Sequence, residues 1–409
     1  MLEQIYQLSR HFLSIYQRPF VRYFFKTHHL DNRFTILLGQ RGVGKSTALV
    51  QYLLSSSNNE IYSKDILYVP SDHFLIRGFS LYKIAEEFVK FGGKLICFDE
   101  VHKFEGWSNE LKSIFDTFPE LKILASGSSI LEVHKGSNDL SRRAVIYTMY
   151  GMSFREFIAL QADIEFSALS LDQILSEHII HSTNITETLN KTGNKILPLF
   201  KQYLEFGYFP YFVEFKDIAK FHLTLEQQIH TTLEADLLSV YPNLTGDSIR
   251  KLKKLLVALS QNVPYLVNYE KLRKIVDVAD NRTIKIYLKY LEDAGIIFQL
   301  RKSGKIMGAL EKVEKIFLNN TNQLFALGSS TSIGTVRETF FANIISSMGE
   351  ITLPKKGDFL FDSKYLFEIG GKGKTKKQIA FHENSYLVLD DIEHGIGSKI
   401  PLWLFGFIY

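Results

Sequence analysis

The chain predicts an α/β fold, a parallel sheet covered by helices, followed by a helical region and smaller C-terminal modules. Two observations carry this. Residues 34–54 run from an apolar strand through a glycine-rich loop into a helical pattern, and short apolar runs then alternate with helical patterns as far as residue 125. Strands separated by helices imply parallel pairing with both faces of the sheet buried.

Taken in order, Met1 to Lys26 read as one or two short amphipathic helices broken near Pro19. Thr35 to Leu38 form the first strand, and Ser46 to Leu54 the helix that follows its loop. Ile66–Val69, Lys94–Phe98 and Leu121–Ala125 are the next strands, with helices over Leu81–Phe91 and Trp107–Phe118 between them. After Tyr150 strand signals thin out and helical patterns dominate to about Val240. Leu252, Leu255, Leu256 and Leu259 then line one helix face, Asn268 is placed to cap a second helix, and Ile284, Tyr287, Leu288 and Leu291 line a third that ends near Gly295. With the strand Ile296–Leu300 and a basic turn, this is the pattern of a winged helix-turn-helix. Its third helix carries Arg282, Lys285 and Lys289, and its wing Arg301, Lys302 and Lys305, the residue types that contact DNA phosphates. A last α/β unit has a helix over Thr335–Met348 and strands at Asp358–Asp362, Tyr365–Ile369, Ser385–Leu389 and Leu402–Phe407. The expected segments are therefore 1–27, 28–150, 151–245, 246–311 and 312–409.

Composition narrows the classes. The chain is 45% hydrophobic and 22% charged, and no apolar run approaches the ~20 residues that span a bilayer. Polar residues interrupt Met1 to Phe25, unlike a secretory signal, so a cytoplasmic location is expected. Cys97, the single cysteine, sits in an apolar strand and reads as core. A net charge of +4 neither requires nor excludes nucleic acid.

The chemistry lies at the ends of the first strands. Gly39, Gln40, Arg41, Gly42, Val43, Gly44, Lys45, Ser46 and Thr47 satisfy the G-x-x-x-x-G-K-S/T pattern of a phosphate-binding loop. Glycines let successive backbone N–H groups turn inward on the phosphates, Lys45 adds positive charge near the β and γ groups, and the Ser46 hydroxyl is a ligand for Mg²⁺. Leu95 to Glu100 is a Walker B pattern, with Asp99 the expected metal ligand and Glu100 the residue that polarises the attacking water. The fourth strand ends in Ser126-Gly127-Ser128-Ser129, where a hydroxyl, Ser126 first, is placed to sense the γ-phosphate.

This run of motifs, continued by Asp99 to Trp107, Leu140-Ser141-Arg142-Arg143 and Met152 to Phe157, resembles the bacterial and archaeal AAA-like ATPases that carry a C-terminal domain of unknown function. The resemblance implies ATP and Mg²⁺ as cofactors. It also implies a charge-stabilising role for Arg143 at the γ-phosphate, in cis or from a neighbouring subunit of a homo-oligomer. Arg142 stands where the family has Gly and Gly151 where it has Pro, and the first departure leaves open which arginine acts. The family's C-terminal unit looks like a PD-(D/E)XK nuclease fold, whose carboxylates would be Glu338, Asp358 and Glu368. Position 370, expected to be Lys, is Gly, which leaves Lys372 reachable across a bulge at Gly370 and Gly371.

Three readings follow. The first is a Mg²⁺-dependent ATPase whose nucleotide state controls the C-terminal modules. The second is a DNA-binding or DNA-processing protein, and the third an ATP-binding scaffold with little turnover.

Overall fold

The computed structural model describes residues 1–127, 140, 142–241, 243–302, 313–328, 332–380 and 382–409. Ser128, Ser129, Ser141 and Lys305 lie outside the described residues. The chain divides into two units, Met1–Gly151 and Met152–Tyr409.

The first unit is built on a five-stranded parallel sheet. Its strands are β1 (Phe34–Leu38), β2 (Ile66–Pro70), β3 (Leu95–Asp99), β4 (Lys122–Gly127) and β5 (Val145–Thr148), in the order β2-β3-β4-β1-β5. Every residue of β1, β2 and β3 is buried, as unbroken apolar runs require when helices cover both faces. Among the described residues the α-helices are α1 (Leu2–Tyr16), α2 (Tyr23–Thr27), α3 (Lys45–Ser56), α4 (Leu81–Lys90) and α5 (Trp107–Thr117). Ser80 starts α4 by accepting a hydrogen bond from the Lys83 N–H.

The N-terminal segment, expected to stand apart as 1–27, belongs to this unit. Its helix α1 runs against the edge strand β2: the Tyr68 N–H donates to Ser9 Oγ at 2.9 Å, and Tyr6 OH donates to the Lys64 carbonyl at 3.1 Å. Strand β5 was not read from the sequence. It is a sheet-end strand with Val145 and Ile146 exposed, so the apolar pattern that marks the inner strands is weak there.

In the second unit the helices Phe154–Ala162 and Leu171–Lys191 both open with capping boxes, Ser153 with Glu156 and Ser170 with Gln173. Three further helices, Gly246–Ser260, Tyr269–Val276 and Asn281–Asp293, are capped in turn by Thr245, Asn268 and Asp280. Eight strands form one mixed sheet: β6 (Tyr265–Leu266), β7 (Ile297–Lys302), β8 (Val313–Leu318), β9 (Ile351–Leu353), β10 (Phe359–Phe361), β11 (Tyr365–Gly370), β12 (Ser385–Leu389) and β13 (Lys399–Pro401). Its order is β13-β12-β11-β10-β9-β7-β8-β6. The segments expected separately as 246–311 and 312–409 share this sheet, because β7 pairs in parallel with β9 through Arg301 and Thr352. Leu402–Phe407, expected as a strand, is a 3₁₀ helix. All six of its residues are buried, and a short run with no alternation does not distinguish strand from helix. Among the described residues no helix is long and apolar enough to cross a membrane.

One buried side chain ties this unit together. Asn322 accepts from the Tyr208 N–H at 2.8 Å and donates to the Leu204 carbonyl at 3.0 Å, holding a π-helical turn at Tyr203–Gly207. Asn322→Ala removes both hydrogen bonds from buried backbone groups, and the expected loss is about 3 kcal/mol, read as a lower urea midpoint.

Candidate functional site

Because β4 lies between β1 and β3, the loop after β1 and the carboxylates that end β3 reach the same C-terminal edge of the sheet. Gly42 and Gly44 take positive φ of 86° and 96°, and α3 begins at Lys45, which points the first N–H groups of the helix into the loop. The Lys45 ammonium is buried and folds back over the loop, donating to the Gly39 carbonyl at 2.9 Å and the Gln40 carbonyl at 3.0 Å. Arg22, which the sequence did not single out, braces the loop from outside. Its guanidinium donates to the Val43 carbonyl and, at 3.0 Å, to the Tyr150 carbonyl. Gly39 is demanded by space: a Cβ there would lie 2.4 Å from the Met149 carbonyl oxygen. Gly39→Ala therefore displaces the loop. At the 1–3 kcal/mol of a forced backbone, nucleotide affinity is expected to fall roughly tenfold, measured by calorimetry on folded protein.

The acidic end of β3 is held by hydroxyls. Asp99 is buried and accepts from Tyr68 OH on one oxygen and from Ser126 Oγ on the other, with a further hydrogen bond from Ser46. The Glu100 N–H donates to Ser126 Oγ at 3.0 Å and to Asp99 Oδ1 at 3.1 Å. Burial, then the neighbouring Glu100 charge, pushes the Asp99 carboxyl up, and the three hydroxyls pull it back. Burial also raises Glu100, but the Lys45 and Lys103 charges, joined by His102 only when it is protonated, outweigh it and hold Glu100 below the ordinary carboxylate range. Burial lowers His102 to about 4, so this imidazole is neutral at neutral pH. Glu100 itself has φ 50°, a left-handed conformation that costs a non-glycine residue energy and marks a constrained site.

The Ser46 hydroxyl and the Asp99 carboxylate touch, and they present hard oxygen donors beside an anion-binding loop. That donor set suits Mg²⁺. Ser126 lies at the Walker B carboxylates, where the sequence placed it, while Tyr68 joins them from β2. No motif marks Tyr68, and only its place beside β3, level with Cys97, brings it there.

Arg143 is elsewhere. Its guanidinium makes a paired contact with Asp116 near the end of α5, Nε to Oδ1 at 2.8 Å and Nη2 to Oδ2 at 2.9 Å. Leu38 is level with Thr148 and Thr35 with Val145, so Arg143 precedes β5 at the edge of the sheet opposite the loop. The four residues of β5 alone span about 13 Å. This register gives no support to a role for Arg143 in cis at the γ-phosphate, and a role from a neighbouring subunit is a separate proposal.

The nuclease-like residues of the second unit are placed as follows. Glu338 is on the helix Ile333–Ser346, Asp358 precedes β10, and Glu368 is buried in β11. The lysine that meets them is Lys374 and not Lys372: its Nζ is 2.6 Å from Glu368 Oε1. Gly370 permits this, since a Cβ there would come within 2.6 Å of the Lys374 side chain. Lys315 Nζ stands 3.6 Å from Glu338 Oε2, and Asp358 Oδ2 accepts from the Ile369 N–H at 2.7 Å. Burial raises the Glu338 and Asp358 carboxyls. Among the described residues no three acidic, histidine or cysteine side chains gather closely enough to hold a metal ion.

On the helix Asn281–Asp293, Lys285 lies over the Tyr269 ring at 5.3 Å, Lys289 pairs with Asp293 at 3.3 Å, and Arg282 stands 4.0 Å from Asp280. Arg301, expected at a DNA backbone, bonds Glu292 at 3.0 Å.

Comparison with known proteins agrees with this geometry for the first unit. Residues 31–158 match the family model of an AAA domain, and residues 197–330 that of a domain of unknown function. An uncharacterized protein of Methanocaldococcus jannaschii is 26% identical over 381 residues, 85% of this chain and 78% of that protein. One of Haemophilus influenzae is 24% identical over 281 residues, 65% of this chain and 62% of that protein. Among solved structures, a Walker-type ATPase of Pyrococcus abyssi aligns over 73% of this chain and 91% of its own at 13% identity, with a TM-score of 0.36. The RuvB Holliday junction branch migration motor of Thermotoga maritima aligns over 73% and 89%, also at 13% identity, with a TM-score of 0.26. By its family match and its loop, strand order and paired carboxylates, the first unit has the fold of an AAA-like P-loop domain.

Proposed function

We propose that this protein is a Mg²⁺-dependent ATPase whose nucleotide state governs its second unit. The observation that supports it best is the meeting of a glycine-rich loop, the buried Lys45 and the Asp99–Glu100 pair at one edge of the sheet. The roles follow from position. Loop N–H groups and Lys45 bind the phosphates, Ser46 and Asp99 hold Mg²⁺, and Glu100 takes up the proton of the attacking water. The metal, when bound, neutralises charge that builds on the phosphoryl oxygens. Ser126 and Tyr68 fix the Asp99 carboxylate by donating to its two oxygens. ATP rather than GTP rests on the family resemblance. The test is nucleotide binding by calorimetry and phosphate release by the purified chain with Mg²⁺. Binding with turnover supports the reading, binding alone favours a scaffold, and neither removes both.

A second reading, nuclease action by the second unit, is favoured by Lys374 reaching Glu368 over Gly370. Plasmid cleavage with Mg²⁺ or Mn²⁺ that is lost in Asp358→Ala supports it, and intact plasmid removes it. DNA contact through the winged helix-turn-helix pattern predicts affinity that falls steeply with salt and weakens on Lys285→Ala.

A further inference from the structure

Glu100 has a neighbour that no motif assigns. The 3₁₀ turn Val101–Lys103 follows directly on Glu100, and the Lys103 N–H donates to the Glu100 carbonyl at 3.0 Å. In a 3₁₀ turn the side chains at i and i+3 eclipse, so Lys103 is laid over Glu100. Its Nζ is 3.2 Å from Glu100 Oε2 and 3.0 Å from Asp72 Oδ2. Both anchors of this bridge are fixed from below. Val101 is fully buried at the start of the turn, and the Ser71 N–H, next to Asp72, donates to the Asp99 carbonyl at 2.9 Å. The neutral His102 faces the same Glu100 oxygen at 3.8 Å. The ion pair is partly buried, with side-chain exposures of 25% for Lys103 and 20% for Glu100, so solvent screens it less than a surface pair.

We propose that Lys103 is a positioning residue for hydrolysis: it pins Oε2 of Glu100 so that Oε1 faces the attacking water, and Asp72 holds Lys103 in place. A carboxylate free to rotate about its last torsions meets the water in a productive pose only part of the time. One fixed oxygen removes that freedom, and removing the pin is felt in the chemical step rather than in nucleotide affinity. The inference rests on the ATPase reading above.

The test compares Lys103→Met, Lys103→Arg and Asp72→Asn in steady-state ATP turnover, with Glu100→Gln as control. In Lys103→Met, kcat is expected to fall roughly tenfold or more while KM for ATP stays within about twofold. Lys103→Arg, which keeps the charge and both partners, restores most of it, and Asp72→Asn falls between. A wild-type kcat in Lys103→Met, a KM that rises in step with the loss, or no rescue by Arg overturns the proposal. If Lys103→Met fails to melt cooperatively, the Arg and Asn variants decide by the same measures. If Glu100→Gln turns over normally, the role given to Glu100 fails. If Glu100→Gln is inactive and Lys103→Met is not impaired, only the positioning role fails.

Discussion

Glu100→Gln is expected to bind Mg-ATP as the unchanged protein does and to hydrolyse it roughly 10²–10⁴-fold more slowly, the range for losing a general base. The substitution keeps the shape of the site and the backbone contacts from this residue's N–H to Ser126 and Asp99, and leaves Lys103 a neutral oxygen or amide in place of the Oε2 charge. What it removes is the negative charge that accepts the proton. It also removes a repulsion, because the Glu100 charge helps to raise the Asp99 carboxyl. The variant therefore traps the bound nucleotide. Single-turnover phosphate release and a calorimetric Kd on the same sample check both halves, and normal phosphate release would remove Glu100 from the chemistry.

Lys45→Ala is expected to lose nucleotide binding almost entirely. The ammonium donates to the Gly39 and Gln40 carbonyls, which hold the lysine over the loop where the phosphates would lie. Losing a buried, hydrogen-bonded charge partner costs about 2–5 kcal/mol, or on the order of a hundredfold or more in Kd. Fluorescent-nucleotide titration measures it, and affinity within about threefold of the unchanged protein would contradict the phosphate-binding role.

How much of this was legible in the sequence follows from what each residue needs in order to be seen. Gly39 to Thr47 and Asp99–Glu100 announce themselves because the chemistry fixes both residue type and spacing. The fully buried strands β1, β2 and β3 were readable within one residue or so, since burial on both faces leaves continuous apolar runs. Strand β5 was not, because at the end of the sheet half its residues face outward. Tyr68, Lys103 and Arg22 were missed for another reason. Each acts through a neighbour supplied by tertiary structure, at Asp99, Glu100 and the Val43 carbonyl, and nothing local marks such a residue. Arg143 shows the converse difficulty. A motif position suggested a γ-phosphate contact, and the register of β1 with β5 sets it at the opposite edge, paired with Asp116. Lys374 replaced Lys372 because spacing counted along a strand cannot foresee the turn after Gly371, where the Lys374 N–H donates to the Gly371 carbonyl.

The contact between Ser9 and Tyr68 has a consequence for solubility. Along an edge strand alternate N–H groups face away from the sheet and invite another chain to pair. On β2 the outward N–H of Tyr68 is taken by a hydroxyl from α1, and Pro70, two residues on, has none to offer. That edge is closed to strand addition by its own first helix. A chain shortened past Tyr16 would uncover it, so the N-terminal helix guards the sheet against self-association as well as helping to build its core.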